Sequence, residues 1–573
     1  MGSFRFRGSA GPGERRGRLQ MVQHGRTSDK FEIDRLDCQE GANSMSLNGC
    51  SSRLRRLIAL PSLCILGGTL LWPNLAGGQS DSEWLTSSGD AARDAWQRGE
   101  SKITPRTAGN LRLLWKVNVG AKPMGMLSFR EPLIVNGVKT SGGTKTLAIL
   151  AGAANDVYAI DADSGTIVWQ KRLKWESDKP QEPGEGRGFI CTNALSATPV
   201  VSPPDAPSRH LYVLASDGYM HTMDLATGDE GDPAIQVLAM PYGKPYGLNL
   251  VNNVIYTITG QGCGGVPNAL YAIDLANRKV IESTPPQAGL WGVAGAAVGS
   301  DGTIYFESGD GPFDAATGKL STSVEAFTFS NDQLTLKDYY APSNHEWLTR
   351  RDLDMNITPV VFPYKGRDVL AGSGKEGRYF LMDSKSLGGA DHSTPLFRSE
   401  LFSNKNVNFQ TEGTWGSIAS WEGKDGTRWV LGPTGGDAAV KFPITYGPTP
   451  HGGIIALKLA EKDGKPELDP AWLSRDMITA EPPVIVNGVV LVLAGGEFTG
   501  QANDDVGGLY SAEERIQRSV PAKLFALDAV TGKELYSSGD QIKSFLHQAG
   551  LSVAGDKVIF GTFDGTIYCF GLK

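Results

Sequence analysis

The chain has 573 residues, of which 20% are charged and 72 are glycine, and a formal net charge of −7. That length holds several ordinary domains or one large repeat domain, and so much glycine without a collagen period suits a fold with many tight turns. No Lys/Arg stripe runs through the body of the chain, which argues against a nucleic-acid partner, and the seven scattered histidines show no zinc-ligand spacing.

Taken in chain order, residues 1–44 are polar, rich in Gly and Arg, and lack periodicity. They read as a disordered extension or as sequence ahead of a true start at Met45. Residues 45–78 read as a signal peptide: Arg53, Arg55 and Arg56 precede an apolar run from Leu57 to Trp72, and Ala76-Gly77-Gly78 supplies small residues for cleavage. The alternative is an uncleaved leader, which would be the protein's one membrane contact. Either way the expected location is periplasmic or extracellular. Cys38, Cys50 and Cys64 would leave with the leader. Cys191, Cys263 and Cys569 remain, enough for one disulfide. No C-x-x-C-H motif attaches a haem to this chain.

Residues 79–109 form a lead-in, and 110–573 carry a repeat. VYAIDADSGTIVWQKRL (157–173) is its fullest copy, with outlines returning at HTMDLATGDE (221–230), LYAIDLANRKV (270–280) and LFALDAVTGKELYSSG (524–539). The anchor of this phrase recurs at Asp161, Asp224, Asp274, Thr328, Asp383, Lys458, Asp528 and Gly571, giving eight units of roughly 40 to 75 residues. Between anchors lie short apolar or alternating runs ending on Gly, Asp or Asn. DQLTLKDYY and SAEERIQRS are the only stretches with a helical look. About four strands in each of eight units predicts an all-β, eight-bladed β-propeller. D-x-x-[ST]-G is its hairpin turn, and Trp169 would lie between adjacent blades. NLRLLWKVNVG (110–120) has the character of the strand that the last unit lacks, so N- and C-terminal strands should share one blade and close the ring.

The A-x-D-x-x-T-G-x-x-x-W phrase resembles the quinoprotein family, which comprises pyrroloquinoline quinone (PQQ) dehydrogenases and cofactor-free relatives, over residues 84–573. The resemblance implies a planar quinone stacked on a tryptophan in the axial channel. LWGVAGAAVGSDGTIYFESGDGPF (290–313) matches the segment that holds it, with Trp291 as the floor and Asp310 at the Ca²⁺ ligand position. SNHEWLTRRDLDMNITPVVF (343–362) occupies the region of the catalytic base, for which Asp352 and Asp354 both stand near the expected place. Such a base would take the alcohol proton while a hydride passes to the quinone. In LAGSGKEGRYFLMD (370–383), Lys375 falls where the family places a cation against the quinone oxygens. Trp415, between glycine neighbours in GTWGSIASW (413–421), either faces the channel or packs in the core.

Two features depart from the family. Cys263, with Gln261 beside it, stands where the family has a calcium-binding Glu, and a neutral thiol is a poor Ca²⁺ ligand. The adjacent-cysteine disulfide of many such dehydrogenases is absent. The expected function is an exported PQQ-dependent-type oxidoreductase acting on an alcohol or other hydroxyl compound, with a separate cytochrome or quinone as electron acceptor. The alternative is a cofactor-free propeller serving as a binding or assembly scaffold in the cell envelope. A hydrolase or lyase using the same axial funnel is a weaker third reading, because propellers host many chemistries.

Overall fold

A computed structural model describes residues 82–173, 190–284, 288–408, 412–503 and 508–572. The extension 1–44 and the expected signal 45–78 lie outside the described residues. Among the described residues, no helix is long and apolar enough to cross a membrane.

Eight four- or five-stranded sheets follow one another along the chain. The first blade shows how the repeat phrase becomes structure. Leu133–Thr140, Gly143–Ala151, Asp156–Asp161 and Ile167–Arg172 pair in order as an antiparallel meander. Asp156–Asp161 is buried along its whole length, because neighbouring blades cover both of its faces. The repeat anchors all end or lie within the third strand of a blade, from Asp156–Asp161 to Thr566–Gly571. Blade eight joins Arg112–Asn118 antiparallel to Thr566–Gly571, so the two ends of the ring share a sheet as expected.

Tryptophan holds blade to blade in a recurring way. The Trp169 indole N–H donates to Leu225 O at 2.9 Å, and its ring covers Gly228 in the next blade's D-x-x-T-G turn. Trp115 does the same to Ala162 O at 3.0 Å, over Gly165. Trp472 repeats it at Ala529 O, 3.1 Å away, over Gly532. A Cβ at these glycines would stand 2.5 to 2.8 Å from indole carbons, so the turn needs glycine for the close approach as well as for its positive φ.

The lead-in is a second ring inside the first. Running from Trp84 to Gln97, it bonds to the innermost strand of each blade in turn, beginning at Ile134 of blade one and Val201 of blade two. Thr86 Oγ1 donates to Leu248 O of blade three. Backbone carbonyls of Ala91, Ala92, Asp94 and Ala95 then accept from Val298, Val361, Ser420 and Ile485 in blades four to seven. Gln97 Nε2 closes the circuit on Val553 O of blade eight. Arg93, fully buried, donates to Ala296 O, Ser87 O and Leu248 O and so satisfies backbone carbonyls that the inner strands leave unpaired.

DQLTLKDYY is not helical. Gln333–Tyr340 is the outer strand of blade four, paired with Ser323–Ser330. Its side chains alternate between exposed and half-buried up to Lys337, with Leu334 and Leu336 on the packed side, a period of two that outweighs the local charge spacing. SAEERIQRS does form a helix, Ala512–Arg518, opened by a capping box of Ser511 and Glu514.

Candidate active site

Loops that enter a blade's first strand and loops that join its second and third strands open on the same face of the ring. Trp291, Asp310, Asp352, Asp354, Lys375 and Trp415 all stand on such loops or strand ends in blades four, five and six. Lys375 is at their centre. Its Nζ donates to Asp352 Oδ1 at 2.7 Å and to Asp354 Oδ2 at 2.6 Å. It also stands 5.9 Å from the Trp291 ring centroid and 5.2 Å from that of Trp415. Trp415 therefore borders the site, and its indole N–H is tied to Glu412 O. Asp310, Asp352 and Asp354 each offer a carboxylate oxygen, all within 4.8 Å of one another.

Local backbone explains how these groups meet. Gly309 precedes Asp310, and a Cβ there would lie 2.7 Å from Asp354 Cγ and 2.8 Å from Trp291 Nε1. Glycine is what lets the Asp354 carboxyl and the Trp291 indole edge close over that strand end. Gly374 likewise lets Lys375 approach, since a Cβ would stand 2.5 Å from Asp354 O. Asp352 has φ +55 and follows the short helix His345–Thr349. This left-handed turn folds the D-L-D stretch back on itself, so that both carboxylates reach the same lysine.

Burial dominates the electrostatics. It raises the Asp354 carboxyl above the ordinary range, opposed by Lys375 and reinforced by Asp310. Asp352 is raised for the same reasons, with Asp354 as the like charge. Asp310 is raised by burial and by Asp352. Burial works to lower Lys375, but the two aspartates outweigh it and hold the ammonium above its usual range. Asp354 is 2% exposed and its Oδ1 has no hydrogen-bond partner. Leaving such an oxygen bare costs about 1–3 kcal/mol or more, and a cation among the three carboxylates would satisfy it.

Several neighbours were not signalled by the sequence. Lys244 places its Nζ 5.4 Å from the Trp291 ring centroid, and the Tyr246 ring centroid is 6.4 Å from that of Trp291. Arg130, from the loop entering blade one, is buried nearby. Cys263 is neither unpaired nor a ligand: it is disulfide-bonded to Cys191, 72 residues away. Cys569 is a buried free thiol.

The fold and the residues gathered on this face define an eight-bladed propeller with an ionisable cluster against a tryptophan. The chain is an eight-bladed β-propeller. Residues 67–284 match the family model described as outer membrane protein assembly factor BamB. No curated protein matches the sequence. Among solved structures, it is similar to the quinohemoprotein alcohol dehydrogenase of Comamonas testosteroni at 14% identity and TM-score 0.53, covering 86% of this chain and 80% of that one. A europium-containing methanol dehydrogenase is similar at 14% identity and TM-score 0.51, with 86% and 89% covered. The quinohemoprotein alcohol dehydrogenase ADHIIG of Pseudomonas putida HK5 is similar at 13% identity and TM-score 0.53, with 86% and 80% covered. At these identities the likeness is one of fold.

Proposed function

We propose that the protein is an exported oxidoreductase that binds PQQ and a hard cation at this cluster and oxidises an alcohol or other hydroxyl compound. The bare Oδ1 of buried Asp354, set among three carboxylates and beside an indole, carries the reading. Perturbed acids converging in one cluster favour a functional site over a structural ion pair. When bound, PQQ supplies a carbonyl that accepts a hydride and the cation polarises it.

The chain's own residues divide the remaining work. Trp291 presents a flat apolar surface for a flat ring system. Asp310 and Asp354 suit the cation, because hard cations take carboxylate oxygens. Asp352, whose side chain is 41% exposed against 2% for Asp354, is the one an entering hydroxyl can reach. Its raised pKa moves it toward neutrality, where a base removes a proton most effectively. Lys375 holds Asp352 and Asp354 in position and keeps their combined charge bearable. Three carboxylates suit a trivalent ion at least as well as Ca²⁺, and europium occupies one similar structure. Electrons would leave to a separate cytochrome or quinone. The Cys191–Cys263 disulfide supports an oxidising compartment.

The test is a PQQ titration of purified protein with Ca²⁺ or La³⁺, followed by tryptophan fluorescence and by dye reduction with primary alcohols. Quenching and turnover that vanish in Asp354→Asn support the reading. No quenching with either ion defeats it, and leaves the second reading. That second reading is a cofactor-free envelope scaffold, favoured by the family match over residues 67–284.

A further inference from the structure

The candidate site is split between two blades. Trp291 and Asp310 belong to blade four, while Asp352, Asp354 and Lys375 belong to blade five. Much of what joins these blades is apolar: Tyr305, Val324 and Tyr340 pack with Met355, Val361 and Leu370. Such packing is non-directional and does not by itself fix how far one sheet slides along the other. Glu307 stands in that interface. It lies on the second strand of blade four, Ile304–Ser308, directly opposite Trp291 on one side and Val324 on the other. Cross-strand pairs project from one face, so the Glu307 carboxyl and the Trp291 indole both turn toward blade five. There Oε2 accepts from Ile357 N at 3.0 Å and Oε1 from Ser373 N at 3.3 Å. Ile357 follows Asp354 by three residues, and Ser373 precedes Lys375 by two. These two segments also bond to each other, with Lys375 N donating to Asp354 O at 3.0 Å. Gly372 admits the carboxyl, since a Cβ there would stand 2.8 Å from Glu307 Oε1. Glu307 is fully buried, and burial pushes its carboxyl well above the usual range, opposed by those two N–H groups. A buried acid is costly where an apolar side chain would pack as well, so its use here lies in the direction of its bonds.

We propose that Glu307 is a positioning residue for the candidate site, tying the Asp354 and Lys375 segments of blade five to the strand beside Trp291 and so setting the distances among the aspartates, the ammonium and the indole. It acts through Ile357 and Ser373 rather than by touching a ligand. A carboxylate offers an acceptor on each oxygen, which two converging N–H groups require. Glutamine keeps one acceptor and turns its own N–H₂ on the other N–H. The inference deepens the reading proposed above and rests on it only where a cation is concerned.

The test compares the whole purified chain with Glu307→Gln, with Gly372→Ala and with a control, Gly532→Ala, in a turn of blade seven on the other face of the ring. One readout is the rate at which acetic anhydride acetylates Lys375 in ion-free protein, followed by mass spectrometry. The other is the affinity for Tb³⁺, from tryptophan-sensitised luminescence. Lys375, no longer held by both aspartates, should react several-fold faster in Glu307→Gln and in Gly372→Ala. Affinity for Tb³⁺ should fall about 10- to 100-fold, as it does when the support behind a metal ligand is removed. Gly532→Ala, although destabilised, should match the wild type in both. Should Glu307→Gln fail to fold, Gly372→Ala decides, because it keeps the carboxyl and displaces it. If the wild type takes no Tb³⁺, the cation reading falls and the labelling of Lys375 alone decides the role of Glu307. Wild-type labelling in a folded Glu307→Gln or in Gly372→Ala overturns the proposal. So does unchanged Tb³⁺ affinity where the wild type binds the ion, or an equal rise in labelling in Gly532→Ala, which would mean general loosening.

Discussion

The indole-over-glycine contact between blades can be isolated by two substitutions that share a backbone conformation. Gly532 has φ +72, and a Cβ there would stand 2.5 Å from Trp472 Cε3 and 2.6 Å from Cδ2. Gly426, in a turn of blade six, has φ +79 and nothing within 4 Å of the same added atom. Replacing either with alanine forces an L-residue into the left-handed region, at about 1–2 kcal/mol. Only Gly532→Ala must also push an indole out of its seat. Overpacking of that kind costs a further 1–3 kcal/mol or so, and the strained hydrogen bond from Trp472 to Ala529 O adds to it. Urea midpoints of the two variants, measured beside the wild type, should place Gly426→Ala about 1–2 kcal/mol down and Gly532→Ala about 2–5. Equal losses would refute the idea that the tryptophan fastens one blade to the next. The glycines would then be present for their torsion alone.

Three other outcomes follow from the structure. Lys375→Met leaves Asp354 buried without its partner and should cost about 3 kcal/mol. Calcium should return part of that in a thermal melt, and no response to Ca²⁺ or La³⁺ would speak against a cation site. Cys263→Ala opens a loop closed over 72 residues and should lower stability by about 4 kcal/mol in a denaturant titration. His221 is buried between Asp217 at 3.2 Å and Glu230 at 2.6 Å. Burial opposes its charge, but those carboxylates outweigh it and raise its pKa above 6.5. Its contribution is therefore full below about pH 6.5 and fades as pH climbs through the raised value. The stability gap between wild type and His221→Gln should narrow from pH 6 to pH 9, and a gap that widens would reverse the assignment.

The blades were legible in the sequence because each is built from local hairpins. Strand alternation and the D-x-x-[ST]-G turn declare themselves within twenty residues or so. Contacts between blades were less visible. All three tryptophans seat on the next blade's turn, but only Trp169 also follows a D-x-x-[ST]-G turn of its own in the full phrase, and Trp115 and Trp472 carry no such local mark. DQLTLKDYY looked helical because its polar residues are mixed, but its leucines fall two apart and a neighbouring strand was waiting for them. In the pocket, the order Trp291, Asp310, Asp352, Asp354, Lys375 came through resemblance. What chain order could not convey was that one ammonium bridges both aspartates of D-L-D. Lys244 sits alone in a Gly/Pro loop, where a single lysine has no pattern to betray it. Three cysteines allow three pairings, and only the spatial approach of two loops selects Cys191 with Cys263.

The segment from Trp84 to Gln97 imposes an order of events on the molecule's birth. It leaves the ribosome ahead of every blade, yet its bonds to the propeller need each blade in turn, and the last of these partners is Val553. Arg112–Asn118 must wait longer still, for Thr566–Gly571. The first part made is thus the last to settle, like a hasp that drops only when the lid is down. A chain interrupted shortly before its end would have most of its sheets and no latch, with a bare strand edge at either side of the gap.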